Sequence, residues 1–377
     1  MYTGEIISLI VAVSWTITAI CFEYAGKRIG ALTLNIVRLL MAIVMLAISL
    51  KLTTGHIAPW DAGQDAWMWL ILSGAVGYVF GDFCLFNSYL LIGSRFGQLF
   101  MTLAPPTAAI AGYVFLGEKM GTYAVIGMLV CIVGIGFSII GKSGENSHKI
   151  GIQLPLKGVL YGIGAGVGQG LGLVLSKIGM NSYLDYNPPA TTLEEFMLPF
   201  EATQIRAFAG VVGFLIILLC RGEIRKLISS FSDKSAMVTS ASGTFFGPFV
   251  GVSLSLMAVQ YTNAGVASTL MALTPIIILL PSKLIFKEVI TFRQVLGAVL
   301  SGGSCLIFCV SLNIRKRTAR DGSPSFVREI TSPLIFFYLS NVLYFNRIKS
   351  FAIYASDNAL RDKCVVVDIL DQSEYGR

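Results

Sequence analysis

Three ionisable side chains, Asp82, Arg38 and Arg206, lie well away from the ends of long apolar stretches, where a charge is costly unless it is paired or hydrated. Asp82 stands in VFGDFCLFNSYLLIGSR, and Arg38 and Arg206 stand in two other apolar stretches. Asp82 has the chemistry to bind a cationic group or a coupling proton, and either arginine offers a planar set of donors to a substrate carboxylate. The structural alternatives are a salt bridge of Asp82 with Arg38 or Arg95, and arginines that snorkel or bond to neighbouring helices.

Other polar and aromatic side chains in the apolar stretches are candidates for lining a cavity. They are Trp15, Gln98, Gln169 and Gln260. Glu23 and Lys177 come late in their stretches, near a membrane face, and are therefore candidate gates or simple flanks.

Two prolines, Pro105 and Pro275, lie near the centres of apolar stretches. Each removes a backbone donor, and we expect the carbonyl four residues earlier, at Met101 and Met271, to lack its usual partner. A bent helix with free carbonyls can serve as a hinge or as a ligand. The alternative is that proline is simply common in membrane helices.

No catalytic, metal or cofactor pattern is visible in the sequence. The two histidines, His56 and His148, lie between apolar stretches, and neither H-E-x-x-H nor Cys-x-x-Cys occurs. The segment GIGAGVGQG follows no strand and ends in no Gly-Lys-Ser/Thr, which excludes a phosphate-binding loop. We therefore predict no catalytic residue, no metal site and no cofactor.

The composition is that of an integral membrane protein. Hydrophobic residues make up 55% of the 377 residues and charged residues only 13%, against about 25% in soluble domains. The net charge of +7 is carried by Lys and Arg in short gaps between apolar runs. That placement favours loops and lipid headgroups over nucleic acid.

Ten stretches come close to the roughly 20 apolar residues that a helix needs to cross a membrane. They are 5–25, 31–50, 67–91, 93–116, 122–140, 158–178, 200–220, 236–260, 264–286 and 292–312. Helices are predicted because the strands of a membrane barrel would alternate and use about ten residues per span. The tightest predicted turns are near Ile92 and Thr262.

The chain repeats itself. Pro105 and Pro275 are 170 residues apart, and the same offset pairs glycines, methionines, leucines and a glutamate on either side of them. Each half then holds five spans, and because five is odd the second half enters the membrane in the opposite sense. The predicted fold is an all-α integral membrane protein of ten transmembrane helices in two inverted five-helix repeats, with a substrate site between the halves.

The predicted organisation has four parts. They are a first repeat at 4–141, an inter-repeat loop at 142–157, a second repeat at 158–312 and a charged tail at 313–377. Near the start of the second repeat, glycines recur every fourth residue in GVLYGIGAGVGQGLG, which favours close packing of helix backbones.

The segment LFMTLAPPTAAIAGYVFLGEKMGTYAVIGMLVCIVGI resembles the drug/metabolite transporter superfamily, EamA type. The features that carry the resemblance are a mid-helix proline, Leu-Gly-Glu at the helix end and a glycine-rich final span. The second half departs from the pattern with IFKE, although it keeps Glu288. The resemblance covers about residues 4–312 and implies ten helices, two EamA half-units and transport of small metabolites, often outward.

We predict a secondary transporter, favoured as an exporter, that moves a small polar or amphipathic metabolite by alternating access. Its expected partners are that small molecule and the lipid bilayer of the cell membrane, with the bacterial inner membrane favoured. Proton coupling, a homodimer and the orientation in the membrane stay open. The alternatives are a membrane-embedded enzyme for lipid or isoprenoid substrates and a non-transporting membrane sensor.

Overall fold

The computed structural model describes residues 3–117, 126, 129–130, 132–135, 137, 140–142, 150–152, 154–262, 264–285, 296–298 and 300. The helices there are α1 (Thr3–Ile29), α2 (Ala31–Thr53), α3 (Gln64–Gly74), α4 (Phe83–Phe100), α5 (Ala104–Leu116), α6 (Leu156–Tyr186), α7 (Thr192–Arg221), α8 (Ile224–Ser230), α9 (Lys234–Thr244), α10 (Ser253–Tyr261), α11 (Ala264–Met271), α12 (Thr274–Ile277) and α13 (Leu279–Ile285). A short antiparallel ladder pairs β1 (Ile140–Lys142) with β2 (Ile150–Ile152). Apart from that ladder, the prediction of a helical protein is confirmed for the described part of the chain.

Six helical runs among the described residues are long and apolar enough to cross a membrane. They are Thr3–Ile29, Ala31–Thr53, Gln64–Leu116, Leu156–Tyr186, Thr192–Arg221 and Lys234–Tyr261. They establish a multi-pass helical membrane protein, whereas the count of ten helices stays a prediction. Most of the predicted spans 122–140 and 292–312, and all of the tail 313–377, lie outside the described residues.

Two breaks in the helices coincide with the turns predicted near Ile92 and Thr262. The run Gln64–Leu116 is interrupted at Gly93, where φ is 80° and ψ is 159°. A positive φ of this size is left-handed backbone that glycine adopts without steric cost. Thr262, at the end of α10, is extended with φ −141° and ψ 177°.

Two π-helical segments, Ala75–Asp82 and Phe245–Val252, join α3 to α4 and α9 to α10. They are separated by the same 170 residues that separate Pro105 from Pro275. The second contains Pro248, whose missing N–H removes a helical hydrogen bond. The local backbone therefore repeats together with the sequence, which supports a duplication.

The glycines of α6 pack backbone against backbone. A Cβ added at Gly168 would lie 2.7 Å from the Cα of Gly81, and one added at Gly172 would lie 2.9 Å from the Cα of Gly77. On another side of the helix, a Cβ at Gly170 would lie 2.5 Å from the carbonyl oxygen of Ala104. The predicted packing role is confirmed at Gly168, Gly170 and Gly172, where α6 lies too close to the first π segment and to α5 for a Cβ to fit.

The two mid-stretch prolines begin helices instead of bending them. A 3₁₀ turn, Met101–Leu103, precedes α5, and Pro105 lies in the first turn of α5, where a missing N–H costs nothing. Pro275 likewise lies in the first turn of α12. The carbonyls of Met101 and Met271 lack the N–H four residues on, as predicted, but they are not free: Met101 accepts from the backbone N–H of Ala104 and Met271 accepts from the Thr274 hydroxyl at 2.8 Å.

Candidate functional site

A small cavity of about 40 Å³ lies where helices from both sequence halves meet. Five of the residues predicted from sequence line it, namely Trp15, Gln98, Gln169, Arg206 and Pro275. Its other lining residues are Met101, Ala104, Leu173, Val252, Ser255, Ser268, Met271, Ala272 and Thr274. The site therefore combines one aromatic ring, a guanidinium, two amides and several hydroxyls in an apolar surround.

Asp82 and Arg38 form a buried ion pair next to this cavity. Asp82 ends the first π segment, and the Nη2 atom of Arg38 donates to its Oδ2 atom. Arg38 and Asp82 are only 2% and 5% exposed. The Nε and Nη2 atoms of Arg38 also donate to Oδ1 of Asn35 at 3.1 and 3.0 Å. The salt bridge with Arg38, which was the structural alternative to a binding role for Asp82, is therefore present in the fold.

Aromatic rings enclose the Arg38 guanidinium. Its Cζ atom lies 4.8 Å from the ring centre of Phe86, 5.5 Å from that of Tyr78 and 5.8 Å from that of Phe22. Cation–π contacts of this kind contribute more when the charge is removed from water. The rings and Asp82 together satisfy Arg38 within the protein.

Gln169 connects the ion pair to the cavity. Its Nε2 atom donates to Oδ1 of Asp82 at 2.5 Å and to the carbonyl oxygen of Gly77 at 3.2 Å. The side chain reaches both because α6 approaches the π segment closely along the glycine contacts. Both carboxylate oxygens of Asp82 are thus bonded to groups of the protein.

Arg206 occupies the position that matches Arg38 in the sequence repeat, but its surroundings differ. It is 3% exposed and lines the cavity, and it makes no ion pair with a carboxylate in the described part of the chain. Its Nε atom is buried without a hydrogen-bond partner there. Its guanidinium stacks on Tyr78, with 4.8 Å from Cζ to the ring centre.

Gln260 is not brought into the cavity. Its Nε2 atom lies 3.4 Å from the carbonyl oxygen of Glu195, close to the start of α7. Since Gln260 is one residue before the end of α10, it lies too far along the helix to reach the lining residues Val252 and Ser255.

The two gate candidates, Glu23 and Lys177, form hydrogen bonds with the backbone at the two helix breaks. Oε2 of Glu23 accepts from the backbone N–H of Ser94 at 2.8 Å, directly after the non-helical Gly93, and Oε1 pairs with Lys27 at 2.5 Å. The Nζ atom of Lys177 donates to the carbonyl oxygen of Thr262 at 3.4 Å. Glu23 and Lys177 are 154 residues apart, the offset that also separates Gly4 from Gly158. An anionic side chain thus binds a backbone donor in one half, and a cationic side chain binds a backbone acceptor in the other.

Several contributors to the site were missed by the sequence reasoning. Asn35 could have been found, because it is three residues before Arg38 and such pairs are neighbours on a helix. Thr274 could also have been found, because it directly precedes Pro275. No sequence pattern identifies Ser255, Ser268 and Tyr78, because their contribution depends on how distant helices pack.

A larger groove of about 630 Å³ runs between α3, the first π segment and α7. Its lining is apolar, with Trp67, Phe80, Phe83 and Phe208 among the larger side chains, and it contains none of the predicted site residues. Among its lining side chains, only Trp67 carries a polar atom, its indole N–H. No cluster of three or more His, Cys, Asp or Glu suited to a metal ion occurs in the part of the chain that the structure describes.

Comparison with known proteins gives a consistent result. The model of a family described as the EamA-like transporter family matches residues 2–140 and 156–310. An uncharacterized transporter of Haemophilus influenzae is 27% identical over 168 residues, which are 43% of this chain and 54% of that protein. An uncharacterized transporter of Clostridium kluyveri is 27% identical over 201 residues, which are 53% of this chain and 58% of that protein.

The chain therefore matches a little over half the length of these relatives. One solved crystal structure superposes with a TM-score of 0.54 at 15% identity and covers 83% of this chain and 98% of its own. At that identity the likeness concerns the fold alone.

Proposed function

The chain belongs to the EamA-like transporter family, and from that premise we propose that it is a secondary transporter that carries a small polar or amphipathic metabolite by alternating access. The predicted resemblance to two EamA half-units is confirmed by the two matched segments. The observation that carries the proposal is the cavity in which side chains of both segments meet around a buried arginine.

The size of the cavity supports a mechanism in which helices move. About 40 Å³ has room for a water molecule or two, whereas sites for small molecules usually enclose 300–1,000 Å³. A metabolite enters only if the lining helices separate. Because the cavity is this small, we propose that it belongs to a conformation between two more open ones.

The helix breaks are suited to such a movement. The π segments, the turn at Gly93 and the 3₁₀ turn before Pro105 divide the long runs into short rigid pieces. Hinges are a few positions at the ends of elements that absorb changes in φ and ψ. We propose that the two halves rock against each other at these breaks and expose the cavity to one side of the membrane at a time.

The inverted arrangement of the halves has a direct test. Single reporter thiols replace His56 and Ser232, two exposed residues in corresponding loops, in a background without the seven natural cysteines. Intact cells are then labelled with an impermeant reagent. We expect only one of the two sites to react from outside, and reaction of both from the same side contradicts the inverted repeat.

Transport itself is tested with purified protein in proteoliposomes. Uptake and efflux of labelled amino acids, nucleosides and sugars are measured with and without a pH gradient, and protein-free vesicles serve as the control. Flux of at least one compound above the control supports a transporter, and its response to the pH gradient decides proton coupling. Absence of flux for every compound in both directions contradicts the proposed function.

A further inference from the structure

The repeat makes two arginines equivalent in sequence, and the fold makes them different in charge balance. Arg38 is neutralised by Asp82, and the position related to Asp82 by the 170-residue offset is Val252. The position related to Asn35 by the 168-residue offset of the arginines is Thr203. The second half therefore lacks the carboxylate and the amide that satisfy Arg38 in the first.

The neighbouring carboxylate does not neutralise Arg206 instead. Asp82 uses Oδ2 for Arg38 and Oδ1 for Gln169, and Arg206 makes no hydrogen bond to either oxygen within the described structure. Arg38, Asp82 and Arg206 together carry one net positive charge in a buried site. A buried charge of this kind is expensive to keep, and the stacking on Tyr78 offsets only part of its cost.

The fold keeps space for this guanidinium. A Cβ added at Gly77 would lie 3.0 Å from Nη2 of Arg206, so the absence of a side chain at Gly77 lets the arginine lie against the π segment. The cavity-lining Gln98 presents a second unsatisfied atom: its Nε2 donates to the Tyr89 hydroxyl, while its Oε1 is buried without a partner in the described chain. A donor with a full positive charge and a neutral acceptor thus line one cavity.

From these contacts we propose that the substrate is an organic anion whose carboxylate or phosphate binds Arg206 and which also carries an N–H or O–H group for Gln98. The proposal rests on the proposed transport function and specifies its substrate class. Arg206 supplies the charge and the planar donor set, and Trp15 and Met101 contact the apolar part of the molecule. Arg38 is placed outside the substrate contacts, because it does not line the cavity and its Nε and Nη2 atoms donate to Asp82 and Asn35.

The test measures binding and flux separately. Purified protein in lipid nanodiscs is titrated with small carboxylic acids, with the neutral amide of each acid, with phosphate monoesters and with organic cations, and binding is followed by isothermal calorimetry. We expect acids or phosphate esters to bind and the amides and cations to bind at least about tenfold more weakly, since a hydrogen bond to a charged group is lost. Comparing the carboxylic acids with the phosphate monoesters decides whether the anionic group of the substrate is a carboxylate or a phosphate.

Arg206→Gln is expected to weaken anion binding by roughly 10- to 100-fold, and Arg206→Lys to weaken it less, because lysine keeps the charge but loses the planar fork. The matched control is Arg221→Gln, which removes an exposed arginine from the end of the same helix and should leave affinity unchanged. If Arg206→Gln does not fold, Arg206→Lys and the acid-versus-amide comparison in the wild-type protein decide.

Equal binding of acids and amides, preference for cations, or unchanged affinity in the folded Arg206→Gln variant overturns the anion proposal. Flux of a neutral or cationic compound that is insensitive to Arg206→Gln overturns it while the transport function stands. Anion binding that depends on Arg206 without flux in proteoliposomes supports the site and contradicts the transport function.

Discussion

The Arg38–Asp82 pair allows a quantitative prediction for Asp82→Asn. Asparagine has nearly the size of aspartate and can still accept from Gln169, so the substitution removes charge with little change in shape. Arg38 then keeps its positive charge at 2% exposure, with Asn35 and three aromatic rings as its remaining partners. Removing one partner of a buried pair costs roughly 3–5 kcal/mol. Because Asn35 and the rings stay in place, we expect about 3 kcal/mol of lost stability.

The complementary double variant separates the charge effect from packing. Arg38→Met with Asp82→Leu removes both charges, and replacing a buried pair by apolar side chains is often neutral or stabilising. We expect the free energy of unfolding of the double variant to lie within about 1 kcal/mol of the wild type, and therefore to exceed that of Asp82→Asn by about 2 kcal/mol or more. Stability is measured for the wild type, Asp82→Asn and the double variant by titrating SDS into mixed micelles and following helicity by circular dichroism.

Two outcomes would refute this reasoning. If Asp82→Asn changes stability by less than about 0.5 kcal/mol, Arg38 is hydrated or has another counter-ion, and the pair does not hold the site together. If folded Asp82→Asn protein loses flux at unchanged stability, Asp82 acts on substrate or on a coupling proton. Normal flux in the folded variant leaves Asp82 with the structural role described here.

Three further predictions concern the helix contacts. Gly168→Ala should lower the free energy of unfolding by about 1–3 kcal/mol, because the new Cβ meets the Gly81 backbone. The control is Gly26→Ala in α1, where the new Cβ lies 3.4 Å from the nearest side chain. It should be neutral or stabilising in the same SDS titration. Glu23→Ala should lower the free energy of unfolding by about 1–3 kcal/mol, because it leaves the Ser94 N–H without its acceptor. A Lys27→Ala control, which removes the half-exposed partner of Glu23, should lower it by less than about 1 kcal/mol. Equal losses in the two variants would mean that the ion pair and not the backbone contact matters. The hydrogen bonds from Arg28 and from the Ala236 N–H hold the pKa of Asp233 below its ordinary value. The contribution of Asp233 to stability is therefore present above about pH 4 and is lost as pH falls through the lowered pKa. Asp233→Asn should narrow the difference in melting temperature between about pH 6 and pH 3, and an unchanged difference would contradict a role of these hydrogen bonds in stability.

The sequence predicts much of this site because charge in an apolar helix has few roles. Asp82, Arg38 and Arg206 stand out in the sequence because they lie inside apolar stretches, and a pair between Asp82 and Arg38 is one of the expected structures. Five predicted residues meet in one cavity because each is a polar, aromatic or backbone-breaking exception in an apolar stretch. Such exceptions cluster where lipid does not reach.

What the sequence could not provide depends on contacts between distant helices. Arg38 and Arg206 are indistinguishable by position in the repeat, and only the packing of α6 and the π segment shows that Asp82 serves one of them. Gln260 was expected in the cavity because its type fits, but its place on α10 decides otherwise. The first π segment packs against α6 and the second against α1, and both of these partners are distant in the sequence.

The contact of Gly168 with Gly81, and of Gly172 with Gly77, restricts how this family member can diverge. At most buried interfaces a larger residue on one side can be accommodated by a smaller one on the other. Here both sides already carry the smallest residue, so no second substitution restores the fit. A Cβ at Gly168 or Gly172 would meet the backbone of the first π segment, so descendants of the chain can leave glycine at these two positions only if the two backbones move apart.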